Sequence, residues 1–189
     1  MKFNMQKFIE DCQAALEQPE PAKVVKQLVQ DAIADPEALR AAFEARGKPK
    51  TLRDAAIYRS ETLSILDVTT PPGMVSPAHD HQMWAVIGVY DGAEPNEFFV
   101  GDDKGVARKS GKLLQTGDVA VLGDKTIHAI SNPLDRKSYA IHVYGGDIVE
   151  RPGRSMWSPH TQVRENYNME QLTQYSKDMR DIPADKHWQ

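Results

Sequence analysis

With 189 residues, of which 40% are hydrophobic and 26% charged, the chain can bury one sizeable core and has no long polar tract, which excludes a fibrous or disordered protein. A formal charge of −4, with Lys and Arg scattered along the chain, provides no basic stripe for a phosphate backbone, so nucleic acid is not an expected partner. Charges break the opening ten residues where a signal-peptide core would need an apolar run, no later segment has the length of a membrane span, and the single cysteine, Cys12, excludes an internal disulfide framework. The cytoplasm is therefore the expected compartment, with no membrane partner.

From residue 3 to about 46, apolar side chains recur at helical spacing, as in Phe8, Ile9, Cys12 and Leu16 and then Val25, Leu28, Val29 and Ile33, which predicts two or three helices. Asp35-Pro36-Glu37 reads as an N-cap followed by proline at the first helical position. Residues 1–50 are thus expected to pack as a helical segment on whatever follows, with Cys12 a buried structural thiol. After Lys48-Pro49-Lys50 the texture changes to short β-prone runs at 63–70, 83–90, 97–100, 112–114, 119–122, 128–131 and 139–144. Turn chemistry separates them: Pro71-Pro72-Gly73, Asp91-Gly92, Gly101-Asp102-Asp103, Ser110-Gly111, Gly123-Asp124 and Asn132-Pro133. Many short strands at close spacing predict a mainly β sandwich, jelly roll or barrel over residues 51–160. Residues 161–189 form a tail with an amphipathic helix near 168–180, expected on the outside of the barrel.

Three histidines stand out in the β-rich part. On a strand, His79 and His81 point to one side and Asp80 to the other, which makes a two-toothed metal clamp. Gly73 precedes His79 by six residues, and Gly117, Gly123, His128 and Asn132 follow downstream. This arrangement resembles the two motifs of the cupin superfamily, Gly73...His79-x-His81 and Gly117...Gly123...His128...Asn132. The resemblance implies a double-stranded β-helix with a metal held inside by His79, His81 and His128. Most cupins add a glutamate a few residues after the second histidine, whereas Ala85 and Val86 occupy those positions here. Three neutral imidazoles suit zinc, copper, iron or nickel, and without an anionic protein ligand the ion keeps its charge for an anionic substrate atom.

Among three-histidine cupins the chain resembles the bacterial thiol dioxygenases, the cysteine dioxygenase and 3-mercaptopropionate dioxygenase group. The segments that carry the likeness are Pro77-Ala-His-Asp-His-Gln-Met-Trp-Ala-Val-Ile-Gly88, Gly117-Asp-Val to His128, Ile141-His-Val-Tyr-Gly-Gly-Asp147 and Arg154-Ser-Met-Trp157. The resemblance implies a mononuclear Fe(II) centre, nickel or zinc being alternatives in the isolated protein, and a small thiol and dioxygen as partners, giving a sulfinate. A homo-oligomer is compatible with it.

The family places Ser, His and Tyr on one side of the last barrel strand. Here the positions read Ala140, His142 and Tyr144, so His142 and Tyr144 are the expected catalytic pair, while His142 lacks the serine that would fix its tautomer. A carboxylate-bearing thiol calls for an arginine, and Arg154 matches the one that the mercaptopropionate-type enzymes use; Arg59 lies in the region from which cysteine dioxygenases draw theirs, and Trp84 and Trp157 are candidate pocket walls. Cys12 lies outside the barrel and cannot form the cysteine–tyrosine cross-link of the mammalian enzymes. Two other readings stand beside this one: a metal-dependent cupin of another reaction class, such as an isomerase, lyase or other dioxygenase, and a non-catalytic cupin that binds a small acid.

Overall fold

The computed structural model describes residues 3–47, 52–182 and 187. Three helices come first: α1 (Met5–Ala15), α2 (Pro21–Ile33) and α3 (Pro36–Glu44). The Asp35 side chain accepts the Ala38 N–H and Pro36 opens α3, so the local start signal operates as the sequence predicts. The expected boundary at Lys48-Pro49-Lys50 lies outside the described residues, and a four-residue helix, α4 (Leu52–Ala55), leads into the strands.

Eleven strands are present among the described residues: β1 (Ala56–Arg59), β2 (Ser64–Thr70), β3 (His79–Asp80), β4 (Ala85–Asp91), β5 (Ala93–Gly101), β6 (Val106–Gln115), β7 (Val119–Leu122), β8 (Ile127–Ile130), β9 (Ser138–Tyr144), β10 (Ser155–Trp157) and β11 (Arg164–Asn166). They form two sheets, β1-β2-β9-β4-β7 and β11-β10-β3-β8-β5-β6, with every described pairing antiparallel. From β2 to β5 and again from β6 to β10 consecutive strands alternate between the sheets, the alternation of a double-stranded β-helix, while β1-β2, β5-β6 and β10-β11 are neighbours within one sheet. Ser110-Gly111, expected as a turn, is instead inside β6. A register shift opposite Phe98 and Phe99 absorbs the irregularity there, so pairing with the long strand β5 overrides the local turn chemistry. The last helix is α5 (Met169–Asp178), capped by the Asn168 side chain on the Gln171 N–H.

Strand alternation separates two cores. Ile65, Val86, Tyr90, Ile141 and Val143 face outward from the first sheet and join Phe8, Cys12, Val25, Val29, Leu39 and Phe43 from the helices. Leu66, Ala85, Ile87, Val89, Ala140 and Tyr144 face the barrel interior. The helical collar is therefore held by its apolar stripe, and burying Val25 and Val29 contributes about 1.5–3 kcal/mol each. Burial pushes the Cys12 thiol up to about 12, which leaves little thiolate and supports a structural role.

Helix α2 approaches β4 at Gly88, where an added Cβ would sit 2.4 Å from Val29 Cγ1. Gly88→Ala is expected to lift the helix from the sheet at a cost of about 1–3 kcal/mol, read as a lower urea midpoint. An unchanged midpoint would mean that the collar is not rigidly seated. No described helix is long and apolar enough to cross a membrane.

Candidate metal centre

His79 lies on β3 opposite His128 on β8 in the ladder register. Alternation turns His79 and His81 the same way and Asp80 the other, where its carboxylate accepts the Ser155 N–H at 3.1 Å. The three buried imidazoles meet with ring centroids 5.1 Å apart for His79 and His81, 4.7 Å for His79 and His128, and 4.8 Å for His81 and His128. One ring nitrogen from each lies within 4.8 Å of the others, and among the described residues this is the group of side chains able to hold a metal ion.

Hydrogen bonds set the tautomers. His79 Nδ1 is 3.0 Å from the Pro77 carbonyl and His128 Nδ1 is 2.8 Å from Asn96 Oδ1. Both partners are acceptors, so each Nδ1 carries the proton and each Nε2 offers a lone pair. The Asn96 amide is itself oriented, because its Nδ2 donates to Glu94 Oε1 at 3.0 Å and to the Glu94 carbonyl at 3.3 Å. His81 Nε2 sits 3.2 Å from His128 Nε2, a contact that a shared proton or a bound cation must satisfy.

Burial lowers the pKa of His79 to about 4. Burial first, and then neighbouring histidines, hold His81 and His128 well below the ordinary imidazole range. Near neutral pH all three are neutral, the form that ligates metal, and the donor set fits a divalent transition ion. No carboxylate among the described residues joins them: Ala85 faces the barrel interior among apolar side chains and Val86 faces the helices.

On β9, Ala140, His142 and Tyr144 point inward. His142 Nδ1 is 2.9 Å from the Tyr144 hydroxyl, and the Tyr144 ring meets that of His81 edge-on at 5.0 Å. The expectation that Ala140 leaves His142 without a partner needs correction, since Glu94 Oε2 lies 3.3 Å from His142 Nε2. Glu94 is 1% exposed. Burial also raises the Tyr144 pKa, keeping it a phenol at neutral pH.

Arg154 is buried at the start of the segment leading into β10. Its Nη1 donates to the Ile148 carbonyl at 2.7 Å and its Nε to the Asp80 carbonyl at 3.4 Å, while its guanidinium carbon lies 3.5 Å from the centroid of the Tyr167 ring. Arg154 Nη2 has no hydrogen-bond partner among the described residues, and no described carboxylate forms a salt bridge with Arg154. Tyr167 carries the contact onward, its ring 6.2 Å from that of His79. A cavity of about 710 Å³ opens beside His79, His142, Tyr144 and Tyr167, with Met169, Leu172 and Ser176 of α5 on its far wall. Helix α5 thus covers the mouth of the barrel.

Three of the candidate substrate contacts and pocket walls are placed elsewhere. Arg59 forms a two-point ion pair with Asp147, Nε to Oδ1 and Nη2 to Oδ2, both at 2.7 Å, and reaches Glu150 at 3.3 Å. This fixes the loop after β9. Trp84 shares the parity of Val86 and Tyr90, packs in the outer core with the helices, and lies over Gly145, where an added Cβ would come within 2.1 Å of its ring nitrogen. Trp157 belongs to an outer cluster with Phe99 and Ala129. Sequence reasoning missed Glu94, Asn96 and Tyr167. For the first two the available signal was the two-residue spacing in Glu94-Pro95-Asn96, which sends both side chains to one face of β5.

No protein-family model matches the chain. Among solved structures it is similar to a conserved protein with a double-stranded β-helix domain from Klebsiella pneumoniae, at 14% identity over 49% of this chain and 74% of that one, with a TM-score of 0.41. It is also similar to an RmlC-like cupin from Methanocaldococcus jannaschii, at 12% identity over 55% of this chain and 89% of the other, with a TM-score of 0.41. An oxalate oxidase matches at 17% identity over 45% of this chain and 42% of its own length, with a TM-score of 0.39.

Proposed function

We propose that the protein is an iron-dependent thiol dioxygenase acting on a small thiol that bears a carboxylate. The observation that carries this reading is the pairing of three convergent neutral imidazoles, joined by no carboxylate among the described residues, with a buried arginine whose Nη2 has no hydrogen-bond partner among them. His79, His81 and His128 would hold the ion, and iron would supply the one-electron chemistry that lets a thiolate react with dioxygen. With no anionic protein ligand, the charge of the ion is left to attract the thiolate sulfur. Arg154 would bind the carboxylate, stacked on Tyr167, which keeps its fork in plane. The net reaction, R–SH + O₂ → R–SO₂⁻ + H⁺, places both oxygen atoms on sulfur and consumes no external reductant.

Oxygen uptake by the iron-loaded protein tests the reading against cysteine, 3-mercaptopropionate, mercaptosuccinate and cysteamine. One O₂ consumed per thiol, with a sulfinate product, is expected for at least one carboxylated thiol, and much slower uptake for cysteamine. Absence of uptake with every thiol, in protein carrying one iron per chain, would reject it. The buried Glu94–His142 pair favours one second reading, a metal-dependent isomerase or lyase that moves protons on a carboxylated substrate.

A further inference from the structure

A buried carboxylate inside a β-barrel is costly unless it is bonded on both oxygens. Glu94 satisfies that condition, with Oε2 on His142 Nε2 and Oε1 on Asn96 Nδ2. Its two partners lead to different parts of the site. One branch runs through His142 to the Tyr144 hydroxyl, whose ring abuts His81; the other runs through Asn96 to Nδ1 of His128. The carboxylate on β5 therefore ties the pair on β9 to the imidazole cluster on β8.

We propose that Glu94 is the positioning residue of a proton-accepting relay, holding a proton on His142 Nε2 so that Nδ1 is left as a lone pair to receive the Tyr144 proton. With Nδ1 unprotonated, the 2.9 Å contact runs from the Tyr144 O–H to His142, and the phenol oxygen keeps its lone pairs for the cavity. When a substrate S–H bond breaks, its proton forms a new O–H bond at Tyr144 as the original phenol proton moves to His142 Nδ1. The electron pair stays on sulfur. The resulting imidazolium lies against the Glu94 carboxylate, so the relay stores one proton as a buried ion pair. Neither Ala140, which has no polar side-chain atom, nor Ser138, whose hydroxyl serves the Ala93 N–H and the Asp91 carbonyl, can do this. The relay's use on a thiol rests on the thiol-oxidation reading; the tautomer of His142 does not.

Glu94→Gln tests the assignment with little change of shape. If the new amide oxygen continues to accept from Asn96, its NH₂ faces His142 Nε2, which must then become the acceptor and send its proton to Nδ1. Nitrogen NMR of His142, in the protein as isolated and again after loading with diamagnetic zinc, should show Nε2 protonated with glutamate at 94 and Nδ1 protonated with glutamine. A merely structural role would leave the tautomer unmoved. Zinc stoichiometry is expected to persist in the variant, and with whichever thiol the protein oxidises, kcat should fall about tenfold to hundredfold while KM changes little. An unchanged tautomer in Glu94→Gln, or Nδ1 already protonated with glutamate in place, overturns the proposal. An inverted tautomer in a protein that oxidises no thiol supports the relay and rejects the thiol substrate alone.

Discussion

Replacing His128 with alanine is expected to abolish stoichiometric iron binding and, with it, oxygen uptake, while the barrel still folds. Two imidazoles remain, and an ion that keeps only His79 and His81 lacks the third face of its protein coordination. The loss should exceed the roughly tenfold to hundredfold fall in affinity that removal of an outer partner produces, which is the range expected for Asn96→Ala, since Asn96 only holds the His128 tautomer. Iron titration followed by metal analysis after gel filtration separates the two cases. Full occupancy in His128→Ala would remove His128 from the ligand set.

Metal-free protein adds a check that does not involve activity. The folded pKa values of the three imidazoles are depressed, so below about pH 6.5 the unfolded chain binds protons that the folded chain refuses. Their contribution to stability is present at neutral pH and is lost as pH falls, for His79 between about 6.5 and about 4. His128→Ala removes one of these groups, and its stability should decline less steeply over that interval.

The barrel was legible because its strands are short, apolar and bounded by turn residues. The run at 119–122 coincides with β7, and the run at 139–144 falls one residue short of β9. The histidine clamp was legible because period-two alternation needs no knowledge of partners. What sequence could not reveal depends on both faces of one sheet being buried. Residues 85–90 of β4 are all buried, because the interior is on one side and the helical collar on the other, so nothing in the polarity of the strand says which way Trp84 turns. The role of Glu94 was hidden for a related reason. It depends on β5 lying beside β8 and facing β9, which joins residues 32 and 48 positions apart, Asn96 to His128 and Glu94 to His142. Arg59 could not be separated from Arg154 in the sequence, since only the fold shows that Asp147 occupies the first and that no carboxylate among the described residues occupies the second.

Arg154→Ala is expected to weaken the use of every carboxylated thiol. A substrate carboxylate bound by a fork in a site shielded by Tyr167 makes charge-assisted hydrogen bonds worth about 1.5–3 kcal/mol. Their loss corresponds to a roughly tenfold to hundredfold fall in kcat/KM, expressed mainly as a higher KM if the contact is equally strong in the ground and transition states. Arg154→Lys should recover only part, because an ammonium cannot offer two parallel N–H donors and stacks poorly on Tyr167. Arg154→Met, which keeps much of the apolar stem, separates lost charge from lost packing and should resemble the alanine variant in KM. Cysteamine, having no carboxylate, should be almost indifferent to all three changes. Arg59→Ala should leave KM nearly unchanged, since that guanidinium is engaged by Asp147 and fixes a loop. Normal kinetics in Arg154→Ala together with a raised KM in Arg59→Ala would move the anchor to β1, and would require the Arg59–Asp147 pair to open when substrate binds.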